Sequence, residues 1–185
     1  FKKETRTLAR LRHPHIVAIQ GDGEIGHNLY YTMDYVEGES LDKLVATKKL
    51  TSTMAIKILR QVASAVSYSQ SMGVIHRDLK PSNVMITPTD VVKLMDLGLA
   101  KANKPGHDLT RTGDAFGTPA YMSPEQISGG IVEAPSDLYS LGVMAFELLT
   151  GRLPYDVGED PMSVMLAHLQ KEPYKLKDFR PDLDQ

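Results

Sequence analysis

The stretch His76-Arg77-Asp78-Leu79-Lys80-Pro81-Ser82-Asn83 concentrates more reactive side chains than any other part of the chain. A residue that precedes proline avoids the α region, so Pro81 biases Lys80 towards extended backbone. In extended chain, residues two apart face the same side. Asp78 and Lys80 therefore point into one site as a paired acid and base. An isolated turn aspartate that satisfies backbone amides is the plainer account of Asp78, but it leaves the rest of the stretch unexplained.

A second constellation follows at once. Val84 to Ile86 and Val91 to Met95 are rich in β-formers and flank Thr87-Pro88-Thr89-Asp90, which predicts a hairpin turned at those four residues. Asn83 and Asp96 then lie at its open end, offset by about two residues, or roughly 7 Å along a strand. An amide oxygen and a carboxylate so placed suit a hard cation that prefers oxygen ligands, such as Mg²⁺. Gly98 gives the backbone freedom just beyond the carboxylate.

These groups need elements to hold them. Phe1, Glu4, Leu8 and Leu11 recur at spacings of three and four, predicting a helix over 1–12 that ends at His13-Pro14. His15–Gln20 and Asn28–Val36 read as strands, and 36–41 as a linker. Thr51 or Ser52 caps a long helix that runs to Met72, with Met54, Ile58, Val62, Ala65 and Val66 as its apolar stripe and Gly73 as its stop. A helix from Asp137 to Thr150, capped by Ser136 and stopped by Gly151, is apolar almost all round and belongs at the centre of the core. A further helix covers roughly Met162 to Leu169. Between Leu97 and Ser123 there is little periodicity, the mark of a functional or disordered loop.

Bulk composition narrows the function classes. The 185 residues are 42% hydrophobic and 24% charged, with a formal net charge of −2, ordinary for a globular domain. No basic stripe points to nucleic acid. There is no cysteine, hence no disulfide and no thiolate metal site. The histidines show no metal-ligand spacing, and no apolar run is long enough to span a bilayer. A cytoplasmic location, with no membrane contact from this segment, is expected.

In order along the chain, HRDLKPSN, DLG and GTPAYMSPE resemble the protein kinase signature. The resemblance covers essentially the whole chain. Lys80 together with GTPAY resembles the serine/threonine branch, and YMSPEQ with DLG resembles bacterial PknB-type (Hanks-type) kinases. The resemblance implies an α+β, two-lobed fold: residues 1–36 as a partial smaller lobe, and 37–185 as a mainly helical larger lobe. The catalytic loop would be 76–83 and the activation segment 96–125.

It also implies roles. Asp78 would accept the proton of a substrate hydroxyl, and Lys80 would neutralise charge on the transferring phosphoryl group of ATP. Asn83 and Asp96 would hold Mg²⁺, with Mn²⁺ as an alternative. Met33, Asp34 and Val36 would line the adenine, the latter two through backbone groups, with Met85 packed beneath it. Glu4 would pair with the nucleotide-binding lysine, and Thr118 would contact Asp78. His76 and Leu97 would pack with Leu8 and Ile19. Asp137 would hydrogen-bond the catalytic turn, and Glu125 would anchor the end of the activation segment. A phosphate on Thr110 or Thr112, placed in trans by another copy, could pair with Arg77. Partners would be proteins bearing Ser or Thr, not nucleic acid.

Two other classes compete: a non-catalytic pseudokinase-like or scaffolding module, and a small-molecule phosphotransferase. Intact Asp78, Lys80, Asn83 and Asp96 oppose the first, and GTPAYMSPE opposes the second. Gly21-Asp22-Gly23-Glu24-Ile25-Gly26 fits G-x-G-x-x-G but is followed by a strand, whereas a dinucleotide cradle opens a helix. It is expected to be a strand tail and turn. The kinase glycine loop and lysine are then expected upstream of Phe1, which makes the chain part of a longer protein, and weakly active or inactive by itself.

Overall fold

The computed structural model describes residues 7–26, 28–47, 50–98, 119–156, 158 and 160–183. Glu4, Thr110, Thr112 and Thr118 lie outside the described residues, as does the start of the 1–12 helix. Its described end is helical only to Leu8, short of the expected Arg12. The side chain of Arg12 folds back to donate to the carbonyls of Ala9 (2.8 Å) and Leu11 (2.9 Å), a C-terminal cap that closes the turn early. Leu8 and Leu11 are buried, as the stripe requires.

Strands β1 (Ile19–Ile25) and β2 (Asn28–Met33) form an antiparallel hairpin that pairs Gly23 with Tyr30. Gly26 takes φ 61 at the turn. The glycine-rich run is therefore strand and turn, as expected. Strand bounds differ from expectation: β2 stops at Met33 rather than Val36, and β1 covers Ile19–Ile25 rather than His15–Gln20. The residues before it pair elsewhere. Val17 N–H donates to the Leu94 carbonyl at 3.0 Å, and Leu94 N–H to the His15 carbonyl at 2.9 Å. One apolar run thus serves two sheets.

The second sheet has the order β3-β4-β5, all antiparallel: β3 (Glu39–Ser40), β4 (Val84–Ile86) and β5 (Val92–Leu94). The expected linker at 36–41 therefore contains a strand, and helix α1 (Leu41–Ala46) follows directly. Gly38 permits this junction: a Cβ there would stand 2.3 Å from the Ile86 carbonyl oxygen.

Helix α2 (Ser52–Ser71) runs as the sequence predicts, with the Thr51 hydroxyl accepting from Met54 N–H and Gly73 at φ 74. Ile58, Val62, Ala65 and Val66 are buried along it. It packs on α4 (Ala134–Thr150), which follows the single-turn α3 (Pro124–Ile127). Helix α4 begins at Ala134, earlier than expected, because Pro135 fits the first turn of a helix. Ser136 is buried inside it and is not the cap; its hydroxyl donates to Glu125. Met144 and Leu148 join the main core, whereas Leu138 is 67% exposed, so the helix is not buried on all sides. Helix α5 (Pro161–Gln170) is capped by Asp160, which accepts from Ser163 N–H. Among the described residues no helix is long and apolar enough to cross a membrane.

Candidate active site

The turn between α2 and β4 carries the first group of side chains. Arg77 takes φ 66, a conformation uncommon outside glycine. Two bonds from the first turn of α4 hold it there: Asp137 accepts the backbone N–H of His76 through Oδ2 and that of Arg77 through Oδ1, both at 2.8 Å. Gln70 steadies the same carboxylate from α2 at 3.3 Å. His76 is fully buried; its Nδ1 accepts from Asp78 N–H, which leaves Nε2–H to donate to the Met95 carbonyl at 3.0 Å. Burial holds this imidazole below its ordinary range, against the raising fields of Asp137 and Asp78.

Lys80 has φ −157 and ψ 161, the extended geometry that Pro81 predicts. Its Nζ lies 2.9 Å from Asp78 Oδ2, so acid and ammonium do meet on one side. Asn83 is 7% exposed, and its Nδ2 donates to the Asp78 carbonyl (2.7 Å) and Oδ2 (3.2 Å). Those donor bonds commit the nitrogen and leave the amide oxygen to face a ligand.

The β4–β5 hairpin brings in Asp96. Val84 pairs with Leu94, so Asn83 faces Met95, whose N–H donates to the Asn83 carbonyl. Asp96 therefore stands one residue beyond Asn83, not two. It turns to φ 53, is exposed, and accepts a 2.7 Å bond from the Tyr31 hydroxyl of β2. Burial, with the Asp96 carboxylate, pushes that phenol up to about 12. Gly98 follows at φ 55, against the carbonyls of Ile75 and His76.

The donor set fits a hard cation. Among the described residues no group of three or more His, Cys, Asp or Glu could hold a metal alone. One carboxylate and one amide oxygen instead suit an ion that keeps water and phosphate oxygens as its remaining ligands.

Met33, Asp34 and Val36 lie on the β2 exit, with Val36 half-buried and the other two exposed. Asp34 N–H is taken by the Ala18 carbonyl. Met85 is half-buried at the middle of β4. A cavity of about 470 Å³ also touches Asp34 and Val36, and it runs to Thr87 and Pro88 in the hairpin's turn and to Lys93 in β5; neither Asn83 nor Asp96 lines it. It is not where the acid, ammonium and amide converge.

On the far side, the 119–121 turn and α3 close the frame. Gln126 Nε2 donates to the Arg77 carbonyl at 2.6 Å, and Tyr121 donates to Glu147 at 2.5 Å. Leu8, Ile19 and Leu97, three of the four members of the expected stack, share one buried hydrophobic cluster, and the fourth, His76, is buried as well.

The protein kinase domain model matches residues 1–182. The chain belongs to the protein kinase domain family. The kinase domain is 41% identical over 179 residues to the serine/threonine-protein kinase PknB of Mycobacterium tuberculosis, covering 94% of this chain and 28% of that protein. It is 38% identical over 186 residues to PrkC of Bacillus subtilis, covering 100% and 28% respectively. The crystal structure of the M. tuberculosis PknI kinase domain superposes with a TM-score of 0.73 at 32% identity, covering 99% of this chain and 64% of that one. The chain thus spans under a third of the curated relatives' length and about two thirds of the solved domain. The kinase fold expected from the motifs is the fold observed, and membership implies use of ATP and a divalent cation.

Three residues of the kinase domain's site escaped the sequence reading. Gln126 was legible in principle, because Ser123-Pro-Glu-Gln is a capping-box pattern and Ser123 N–H does donate to Gln126 Oε1. Tyr31 and Gln70 carry no local signal; their partners lie 65 and 67 residues away.

Proposed function

We propose that the protein is a serine/threonine protein kinase that transfers the γ-phosphoryl of ATP to Ser or Thr hydroxyls of protein substrates, with Mg²⁺ as its cation and Mn²⁺ as a substitute. The carrying observation is the convergence of Lys80 Nζ and Asn83 Nδ2 on Asp78 Oδ2, at 2.9 and 3.2 Å. The chain matches only part of its relatives, so activity, substrates and partners are read from this geometry and from the resemblance.

In this reading Asp78 orients the substrate hydroxyl and takes its proton, a contribution of about 10²–10⁴-fold for a positioned base. Lys80 pairs with the carboxylate at 2.9 Å and presents its ammonium to the phosphoryl oxygens as charge builds. Asn83 and Asp96 present the oxygens that hold the cation. A bound divalent cation offsets triphosphate charge. Adenine lies against Met33, the backbone of Asp34 and Val36, and Met85. Glu4 and Thr118 keep their roles as partner of the nucleotide-binding lysine and of Asp78.

Residues 1–36 form part of the smaller lobe and 37–185 the larger, with the catalytic loop at 76–83 and the activation segment at 96–125. Among the described residues Arg77 Nε is a buried polar atom without a hydrogen-bond partner, which supports a phosphate on Thr110 or Thr112 as its counterion. The substrates and the activating copy are proteins, and the domain works in the cytoplasm, where ATP is available.

The test is phosphoryl transfer by the full-length protein from γ-labelled ATP to a Ser/Thr-containing protein. Asp78→Asn should lower the rate by at least 10²-fold with the fold retained. Equal rates for the two proteins would reject the role of Asp78, and transfer by neither would favour the scaffolding reading.

A further inference from the structure

Of the six residues of β2, only Tyr31 is not exposed. Its ring packs against the main core while its hydroxyl donates to Asp96 Oδ1 at 2.7 Å. A phenol taken out of water usually finds a hydrogen-bond partner. Here the acceptor is a carboxylate expected to bind the cation, and Tyr31 is its sole hydrogen-bond partner among the described residues.

The backbone explains why that contact matters. Met95 is fixed from both sides: its N–H donates to the Asn83 carbonyl, and its carbonyl accepts from His76. The chain then enters φ 53 at Asp96, which sets the direction of the Cα–Cβ bond. The freedom that remains lies in the side chain, and the outer torsion of aspartate is broad and weakly preferred. A single donor on Oδ1 removes it. An ionised carboxylate has about four acceptor positions, so the bond leaves Oδ2 for a cation.

We propose that Tyr31 is a positioning residue for cation binding: its hydroxyl locks the Asp96 carboxylate so that Oδ2 is presented towards Asn83. This rests on the reading of Asn83 and Asp96 as the cation ligands. Outer-shell hydrogen bonds to a ligating group typically govern about 10–100-fold in metal affinity, and one phenol on an exposed carboxylate belongs at the lower end of that range.

Manganese(II) titration of the full chain with saturating ADP, read by electron paramagnetic resonance, tests this directly. Tyr31→Phe keeps the ring and deletes one oxygen, and Tyr31→Met deletes the hydroxyl with different packing. Both should weaken manganese binding by about tenfold. Their urea midpoints without metal, set by packing, should differ from each other. A phenol with a purely structural role would move the urea midpoints and leave the manganese curve in place. Unchanged or tighter binding in either folded variant overturns the proposal. Failure of the unsubstituted chain to bind manganese overturns it together with the ligand reading. Manganese binding with no phosphoryl transfer by the full-length protein rejects the kinase reading alone and leaves Tyr31 standing.

Discussion

Asp137 accepts the backbone N–H of Arg77 at 2.8 Å while Arg77 sits at φ 66. Cause and effect can be separated here. A non-glycine residue in the left-handed region is strained. It persists because a buried carboxylate on the central helix takes two consecutive amides of the turn, His76 through Oδ2 and Arg77 through Oδ1. The strain reverses the chain between α2 and β4 and so aims Asp78 at Lys80 and Asn83.

Asp137→Asn should therefore act on both stability and turnover. The amide keeps one acceptor and turns a donor towards the other N–H. Hydrogen bonds to charged groups are worth roughly 1.5–3 kcal/mol each, so a loss of about 2–3 kcal/mol is expected in urea unfolding. In the full-length protein, phosphoryl transfer should fall in kcat more than in the KM for ATP, because Asp78 is misdirected while the proposed adenine contacts are untouched. A variant as stable as the parent would show that the two bonds are incidental.

Features set within a turn or so of the chain are legible in the sequence, and those set by distant partners are not. The ends of α2 were readable because Thr51 and Gly73 act within one turn of the helix they bound, and Gly151, at φ 73, is equally local. Pairing of Asp78 with Lys80 was readable because Pro81 dictates its neighbour's backbone. The division of His15–Gln20 between two sheets was not, because Leu94, which draws off its first half, is a tertiary partner. Helix α1 was hidden for a different reason: at six residues it has little propensity of its own and forms where Leu41 is fully buried. Tyr31 was invisible because a tyrosine in a strand has no pattern that marks a carboxylate 65 residues on.

Two glycines should respond oppositely to the same substitution. Gly38→Ala would drive a Cβ to 2.3 Å from the Ile86 carbonyl oxygen, a backbone atom tied into the β4–β5 hairpin. Overpacking of this kind costs about 1–3 kcal/mol, and it should loosen the β3–β4 pairing. Gly142 lies exposed within α4, with nothing within 4 Å of an added Cβ. Gly142→Ala should stabilise by about 0.8–1 kcal/mol through helix propensity. Thermal melts of the two variants check both signs at once.

Acid should destabilise the domain through its buried imidazoles. His76 and His168 are both held below their ordinary value of 6.5, chiefly by burial. The unfolded chain then binds protons that the folded chain refuses. Stability from these groups is complete above 6.5 and is lost as pH falls from there towards the folded-state values, at up to about 1.4 kcal/mol per pH unit for each group. Glu147 works against this, since burial raises its carboxyl and the folded state keeps its proton to higher pH. The histidine contribution can be isolated at His168, whose Nδ1 meets the Tyr139 hydroxyl at 2.8 Å between α4 and α5. His168→Asn retains an acceptor near Nδ1 and cannot titrate. Urea midpoints at pH 7.5, 6.5 and 5.5 should fall less steeply in this variant than in the parent. Parallel curves would mean that His168 takes up no proton on unfolding in that window.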